Sequence, residues 1–157
     1  MKAHIAQSLK RLEEICRAEG LPLTNQRRTV LEVLLQRSDH PTADQIFEAV
    51  RERSPQISRR TVYRVLDTLA ELGLIRRAQH PGATARFDGK TRRHHHLVCM
   101  RCNRIVDLES PRWDDISLPK GKPQGFEICD FSVQLMGTCP DCRKEKNSTK
   151  HRRKKDE

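Results

Sequence analysis

Residues 88–107 have the sequence D-G-K-T-R-R-H-H-H-L-V-C-M-R-C-N-R-I-V-D, with three consecutive histidines, a C-x-x-C pair and an aspartate at each end. Thiolates suit zinc, whereas imidazole and carboxylate groups suit iron, manganese or zinc. The stretch therefore predicts two kinds of metal chemistry close together in the chain.

A second C-x-x-C pair lies downstream, and two such turns can converge on one tetrahedral zinc ion. The alternative is a redox-active pair, which needs a βαβ setting that the sequence lacks. The other two cysteines, Cys16 and Cys129, are expected to be small buried hydrophobic residues. We predict a structural zinc site formed by Cys99, Cys102, Cys139 and Cys142.

The three histidines lie in a strand-like run, in which alternate side chains share a face. His94 and His96 should therefore point together, and His95 should point away. Two imidazoles on one face begin a metal site, although a surface histidine cluster fits the same pattern. Further candidate ligands elsewhere in the chain are His40, Asp88 and Asp107. Periodicity does not show that they join the pair of histidines.

The chain before residue 88 has the pattern of four amphipathic helices and a small hairpin. The first is predicted over 5–19. The next three are predicted to begin at the cap residues Thr24, Thr42 and Ser58, and Thr42 opens a T-A-D-Q capping box. The fourth helix closes at Gly73, and a turn at Pro81-Gly82 predicts a β-hairpin. Helices closed by such a hairpin indicate a winged helix-turn-helix, so the fold class is α+β.

The fourth helix is a candidate for DNA recognition because one of its faces carries Arg60, Tyr63, Arg64 and Asp67. Residues 1–90 hold 16 Lys/Arg against 11 Asp/Glu, whereas residues 91–142 hold seven of each. The basic surplus on the helical half favours a polyanionic partner there. The alternative is a solvated charged face, which describes most such stripes.

The chain as a whole is poor in apolar residues, which make up 35% of it, with 4% aromatic. A small domain with so little core needs a metal or a partner subunit. Strands are predicted over 94–99, 104–109 and 127–136, and one helical turn near residue 113. Residues 143–157 hold no apolar residue and should be disordered. The sequence shows no signal peptide and no membrane-spanning run, so we expect a cytoplasmic protein that does not bind membranes.

Seven motifs, in this order, together resemble the ferric uptake regulator family of bacterial metal-dependent repressors. The resemblance covers roughly residues 5–143. The motifs are L-T-N-Q-R at 23–27, H-P-T-A-D at 40–44, S-R-R-T-V-Y-R-V-L at 58–66, R-F-D at 86–88, H-H-H-L-V-C-M-R-C at 94–102, I-V-D at 105–107 and C-P-D-C at 139–142.

The resemblance implies the domain organisation and the partners. A winged-helix DNA-binding domain would occupy 1–83, a hinge 84–92 and an α/β dimerisation and metal-binding domain 93–143, with a disordered basic tail at 144–157. The protein would be a homodimer that binds an inverted-repeat operator in double-stranded DNA. The implied DNA contacts are Arg59, Arg60, Thr61, Tyr63 and Arg64.

The resemblance also implies a regulatory metal, Fe(II) or Mn(II) with Zn(II) as a further option, held by His40, Asp88, His94, His96 and Asp107. Binding it would clamp the two halves at one angle and so set whether two recognition helices fit successive half-sites. The four thiolates would hold structural zinc.

The aspartate at position 107 is similar to the residue that the peroxide-responsive branch of this family has there, since the iron-uptake branch usually has Glu. Phe131 stands where many iron-uptake members place an additional metal-binding histidine. In the peroxide branch, bound Fe(II) reacts with hydrogen peroxide and oxidises a ligating histidine, here His40 or His94, which releases the DNA. The favoured function is a peroxide-sensing repressor and not an enzyme.

Three alternatives remain open at this point. One is an iron- or zinc-uptake regulator of the same family, since R-T-V-Y-R at 60–64 fits those members equally well. Another is a metalloenzyme whose two histidines and carboxylate hold Fe(II), which would leave the basic helix unexplained. The third is an RNA-binding zinc ribbon, against which the helical first half argues.

Overall fold

The computed structural model describes residues 2–78, 84–119 and 121–144. The chain divides into two compact units, residues 1–92 and 93–157. None of the described helices is long and apolar enough to cross a bilayer.

The first unit holds the four predicted helices, α1 (Lys2–Ala18), α2 (Asn25–Leu35), α3 (Ala43–Arg53) and α4 (Arg59–Glu71). The predicted caps of the last three are confirmed. Thr24 and Ser58 each accept a hydrogen bond from a backbone N–H of the first turn, and Thr42 forms a complete capping box with Gln45. Gly73 ends α4 with a left-handed φ of 65°, a conformation that glycine adopts without steric cost.

The four helices and β2 of the wing enclose one apolar core. Its fully buried members come from all four helices and include Leu12, Leu31, Leu34, Ile46, Val50, Val62, Leu66 and Leu69. The spacing of these residues follows the helical period, so each helix buries one stripe and exposes the opposite one.

A two-stranded wing follows α4. Strand β1 (Arg76–Ala78) pairs antiparallel with β2 (Arg86–Asp88), and the predicted turn at Pro81-Gly82 lies outside the described residues. The backbone N–H of Phe87 donates to the Pro41 carbonyl at 2.9 Å. This bond joins β2 to the segment before α3, and β2 lies within the range predicted as the hinge.

The second unit contains a three-stranded sheet of order β4-β3-β5. Strand β3 (His95–Cys99) pairs antiparallel with β4 (Ile105–Leu108) and parallel with β5 (Gln134–Gly137). A single helical turn, α5 (Pro111–Asp114), follows β4 as predicted, and a 3-10 turn spans Pro123–Gly125.

Three predictions for this unit are wrong. The strand expected over 127–136 is reduced to β5. The backbone N–H groups of Phe131 and Val133 bond to the side chains of Asp130 and His95 and not to a neighbouring strand. Cys129 is exposed, since it lies in that irregular segment. Residues 143 and 144 are helical, and the remainder of the tail predicted to be disordered lies outside the described residues.

Candidate metal centres

The four cysteines of the two C-x-x-C pairs lie together in the second unit, with sulfur atoms within 4.8 Å of one another. Cys102 Sγ and Cys139 Sγ are 3.7 Å apart. Two sulfurs each about 2.3 Å from a tetrahedral zinc ion would be about 3.8 Å apart, so the spacing fits that ion. The chemistry of this cluster is that of a closed zinc site with no position left for a substrate.

The thiols of this cluster differ in acidity. Backbone N–H groups of Cys102, Cys139 and Arg101 lower the pKa of Cys99 to about 6. The pKa of Cys142 is raised to about 12 by its hydrogen bond with Cys139 and by burial. Ionisation of Cys99 is therefore favoured by its backbone donors, whereas Cys142 holds its proton more tightly.

A separate group of nitrogen and oxygen donors lies on the opposite face of β3 from His95. His96 pairs directly with Asp107 of β4 across the sheet, and His94 lies two residues before His96 on the same face. The His94 and His96 ring centroids are 4.7 Å apart, and His94 Nε2 lies 3.6 Å from Asp107 Oδ1. All three side chains are shielded from solvent, so the group is a candidate hard-cation site.

The first unit brings together the other two predicted ligands. His40 Nε2 lies 3.6 Å from Asp88 Oδ2, and both side chains are buried. The wing positions Asp88 through β2, and the Lys90 backbone N–H donates to Asp88 Oδ1 at 2.7 Å. His40 has a φ of 48°, a left-handed conformation that is uncommon for non-glycine residues and that histidine adopts more often than most.

Both donor groups suit a divalent ion by chemistry and spacing. Two donors each about 2.1 Å from one ion and roughly 120° apart would be about 3.6 Å apart. Neither group contains a thiolate, so Fe(II), Mn(II) or Zn(II) are all compatible.

His95 is fully buried on the other face of β3 and belongs to neither donor group. Its Nδ1 accepts from the Val133 N–H at 3.1 Å, so Nε2 carries the proton that faces Asp114 Oδ1 at 3.2 Å. Its ring stacks on Phe131, whose other neighbour is the Arg93 guanidinium at 4.6 Å. We call Arg93, His95, Asp114 and Phe131 the β3 brace.

The DNA-contact candidates lie at the exposed N-terminal half of α4. Arg59, Arg60, Tyr63 and Arg64 are exposed and Thr61 is half-buried. Tyr63 and Arg59 both contact Asp44 of α3. The sequence assigned Asp44 no role, although a carboxylate two residues after the capping threonine gave a weak signal. The sequence gave no signal for the pairing of His95 with Asp114, because no periodicity connects a strand to a single helical turn.

A family profile and individual relatives both place the chain in one protein family. Residues 18–136 match the profile described as "Ferric uptake regulator family". The peroxide operon regulator of Bacillus subtilis (strain 168) is 34% identical over 142 residues, which cover 90% of this chain and 98% of that protein. The peroxide-responsive repressor PerR of Staphylococcus epidermidis is 30% identical, covering 83% of this chain and 87% of that protein.

Solved structures share the architecture. The ferric uptake regulator Fur of Helicobacter pylori superposes with a TM-score of 0.73 at 22% identity, covering 88% of this chain and 93% of that one, which supports the fold alone. The peroxide stress regulator of Campylobacter jejuni superposes with a TM-score of 0.65 at 27% identity, covering 85% of this chain and 98% of that one.

Proposed function

Because this chain belongs to the ferric uptake regulator family, we propose that it is a metal-dependent DNA-binding transcriptional repressor that senses peroxide. The single observation that carries the proposal is the donor group of His94, His96 and Asp107 on one face of β3. These donors are all nitrogen or oxygen and are separate from the thiolate cluster, so the unit can hold a redox-active ion beside a structural one.

The proposed regulatory ion is shared by His40, Asp88, His94, His96 and Asp107, as the family resemblance implies. His40 and Asp88 come from the first unit and the other three from the second. An ion with this ligand set favours whichever arrangement of the two units lets all five bind, which would make DNA affinity depend on metal. The structural zinc is assigned to Cys99, Cys102, Cys139 and Cys142.

Bound Fe(II) would supply the electrons for reaction with hydrogen peroxide at this site. The chain supplies the target, which we propose to be the imidazole of His40 or His94. Each ring lies 3.6 Å from a carboxylate of the same proposed ligand set, Asp88 or Asp107. Loss of a ligand lowers the affinity for the ion and thereby for DNA.

The proposed DNA-binding surface is the exposed face of α4, with Arg59, Arg60, Thr61, Tyr63 and Arg64. Recognition helices of winged helix-turn-helix proteins lie in the major groove, and paired helices of a dimer bind successive half-sites of an inverted repeat. We propose a homodimer formed through the sheet of the second unit, and a cytoplasmic location in which the thiols stay reduced.

An iron-uptake regulator is the second candidate, because the Fur protein of Vibrio cholerae superposes with a TM-score of 0.62 at 26% identity. Both candidates bind DNA when loaded with Fe(II). They differ in the response of the iron-loaded protein to peroxide, which the following experiment measures.

The experiment uses anaerobic protein and a duplex that the wild-type chain selects from a randomised DNA library. We expect binding with Fe(II), Mn(II) or Zn(II) and little without metal. Peroxide should release the iron-loaded protein and add one oxygen atom to His40 or His94 in peptide mass spectra. The zinc-loaded protein should stay bound, since zinc is redox-inert.

His40→Asn is the test variant, because asparagine tolerates the left-handed conformation at this position. We expect it to fold but to lose metal-dependent binding. His4→Asn changes an exposed histidine of α1 and should behave as wild type. Binding without metal would contradict the repressor mechanism. Release without histidine oxidation would contradict peroxide sensing and leave the iron-uptake function.

A further inference from the structure

Asp44, in the first turn of α3, contacts two residues of the proposed DNA-binding surface. The Tyr63 hydroxyl donates to Asp44 Oδ1 at 3.0 Å, and the Arg59 guanidinium hydrogen-bonds the same oxygen. Asp44 takes no part in the capping box, which uses Thr42 and Gln45. Its carboxylate is therefore committed to α4.

Arg59 has two further neighbours from α3. Its guanidinium lies 4.8 Å from the ring centroid of Phe47, and its second terminal nitrogen is 3.8 Å from Glu48 Oε1. Phe47 is a core residue, so the ring is a fixed platform. An arginine stacked on a ring between two carboxylates has lost most of its freedom to follow a DNA phosphate.

Arg60 and Arg64 differ from Arg59. Within the described residues neither of them forms a salt bridge, and both side chains are exposed. The basic residues of α4 thus fall into two classes, one held against α3 and one directed to solvent.

We propose that Asp44 is a positioning residue for DNA recognition, an inference that rests on the proposed function. It holds the Tyr63 ring in one orientation on the face of α4, and it withholds Arg59 from the phosphates. Arg60 and Arg64 then supply the cationic contacts. Phosphate contacts add affinity for any sequence, whereas a side chain fixed against the bases adds discrimination. Asp44 therefore raises the ratio of operator to non-specific affinity.

The test compares Asp44→Ala with Asp67→Ala in the metal-loaded full chain, because asparagine would keep an acceptor for the Tyr63 hydroxyl. Asp67 lies on α4 and pairs with Arg77 at 2.6 Å, and both carboxylates are about half exposed. Each variant removes one negative charge near the same surface, but only Asp44 contacts Tyr63 and Arg59. Affinities are measured for the duplex selected by the wild-type chain and for a scrambled duplex, across a range of salt concentrations.

For Asp44→Ala we expect tighter binding to the scrambled duplex and about a tenfold loss of discrimination, the size of one incorrect base pair. The slope of log affinity against log salt should steepen by about 0.9, because one more phosphate is neutralised. Asp67→Ala should raise both affinities equally. Identical behaviour of the two variants would overturn the inference.

Tyr63→Phe separates a direct from an indirect role of the hydroxyl. It should reduce discrimination in the wild-type background and have no further effect in Asp44→Ala, because the hydroxyl acts through Asp44. Additive losses would instead show direct DNA contact and overturn the positioning role. If the wild-type chain selects no sequence from the library, the proposed function itself fails. Zinc content and circular dichroism verify that each variant is folded.

Discussion

Single residues decide how the thiolate cluster takes up its ion. Cys99 and Cys142 both stand at the ends of C-x-x-C turns, and sequence spacing treats them alike. Their surroundings separate them, because backbone N–H groups stabilise the Cys99 thiolate and the neighbouring sulfurs disfavour ionisation of Cys142. The four ligands could be predicted from spacing, but their order of ionisation could not, since it depends on where three backbone amides point.

This difference predicts how zinc affinity depends on pH. Above pH 6, Cys99 of the reduced, zinc-free protein is a thiolate, and zinc displaces the proton of Cys142 but none from Cys99. Below pH 6, Cys99 also carries a proton that zinc must displace. Because protons compete with zinc, affinity should fall as pH falls, and the slope of log affinity against pH should be about one unit steeper below pH 6.

Competition with a chromophoric chelator at a series of pH values measures this slope. Cys129→Ser supplies the control, since it removes an exposed thiol outside the cluster and should leave the change of slope at pH 6 as in the wild type. A wild-type slope that stays constant through pH 6 would show that Cys99 is not the early thiolate.

At the scale of elements, helices were predictable and the segment between α5 and β5 was not. Helix starts are local, because a Thr or Ser cap and its partners lie within four residues of one another. Strands β3 and β4 were also found, since their alternation is intact. Residues 127–133 show the same alternation, but the Phe131 N–H bonds to the Asp130 side chain and the Val133 N–H to the His95 side chain. The contact with His95 spans 38 positions and leaves no local signal.

The β3 brace predicts a measurable contribution of His95 to stability. His95→Leu keeps the volume apolar but leaves the Val133 N–H without its acceptor and removes the imidazole that lies 3.2 Å from Asp114 Oδ1. We expect the free energy of unfolding of the zinc-loaded protein to fall by about 1–3 kcal/mol. Chemical denaturation followed by circular dichroism measures this change.

Arg93→Gln is the control from the same group. Its ion pair with Asp130, at 3.0 Å, is exposed and should contribute at most about 1 kcal/mol. Equal losses of unfolding free energy in the two variants would mean that the buried hydrogen bond of His95 contributes no more to stability than the exposed ion pair of Arg93.

For the whole molecule, the arrangement of the sheet in the second unit bears on assembly. Val106, Leu97 and Leu135 lie side by side across β4, β3 and β5, and all three are exposed large hydrophobic residues. Such a row on a small sheet favours a protein partner. A second copy of this chain is the occupant that the proposed inverted-repeat operator requires, because a two-fold site needs a two-fold protein.

Leu97→Asp is therefore expected to convert the dimer into a monomer and to weaken operator binding. Sedimentation velocity at micromolar concentration measures the oligomeric state. Leu23→Asp is a matched control, since Leu23 is 40% exposed and Leu97 42%, but Leu23 lies in the first unit. A Leu97→Asp protein that remains dimeric would contradict a dimer interface on this row.

Strand β3 holds His96 and, three positions later, Cys99. The backbone that sets the spacing of the histidine pair is thus the same backbone that the sulfur-bound ion keeps in place. Maturation of the protein should accordingly follow a fixed sequence, in which zinc enters first and only a zinc-loaded chain acquires affinity for iron. A cell deprived of zinc would then make new copies of the protein that do not bind DNA, however plentiful its iron and however severe the oxidative stress.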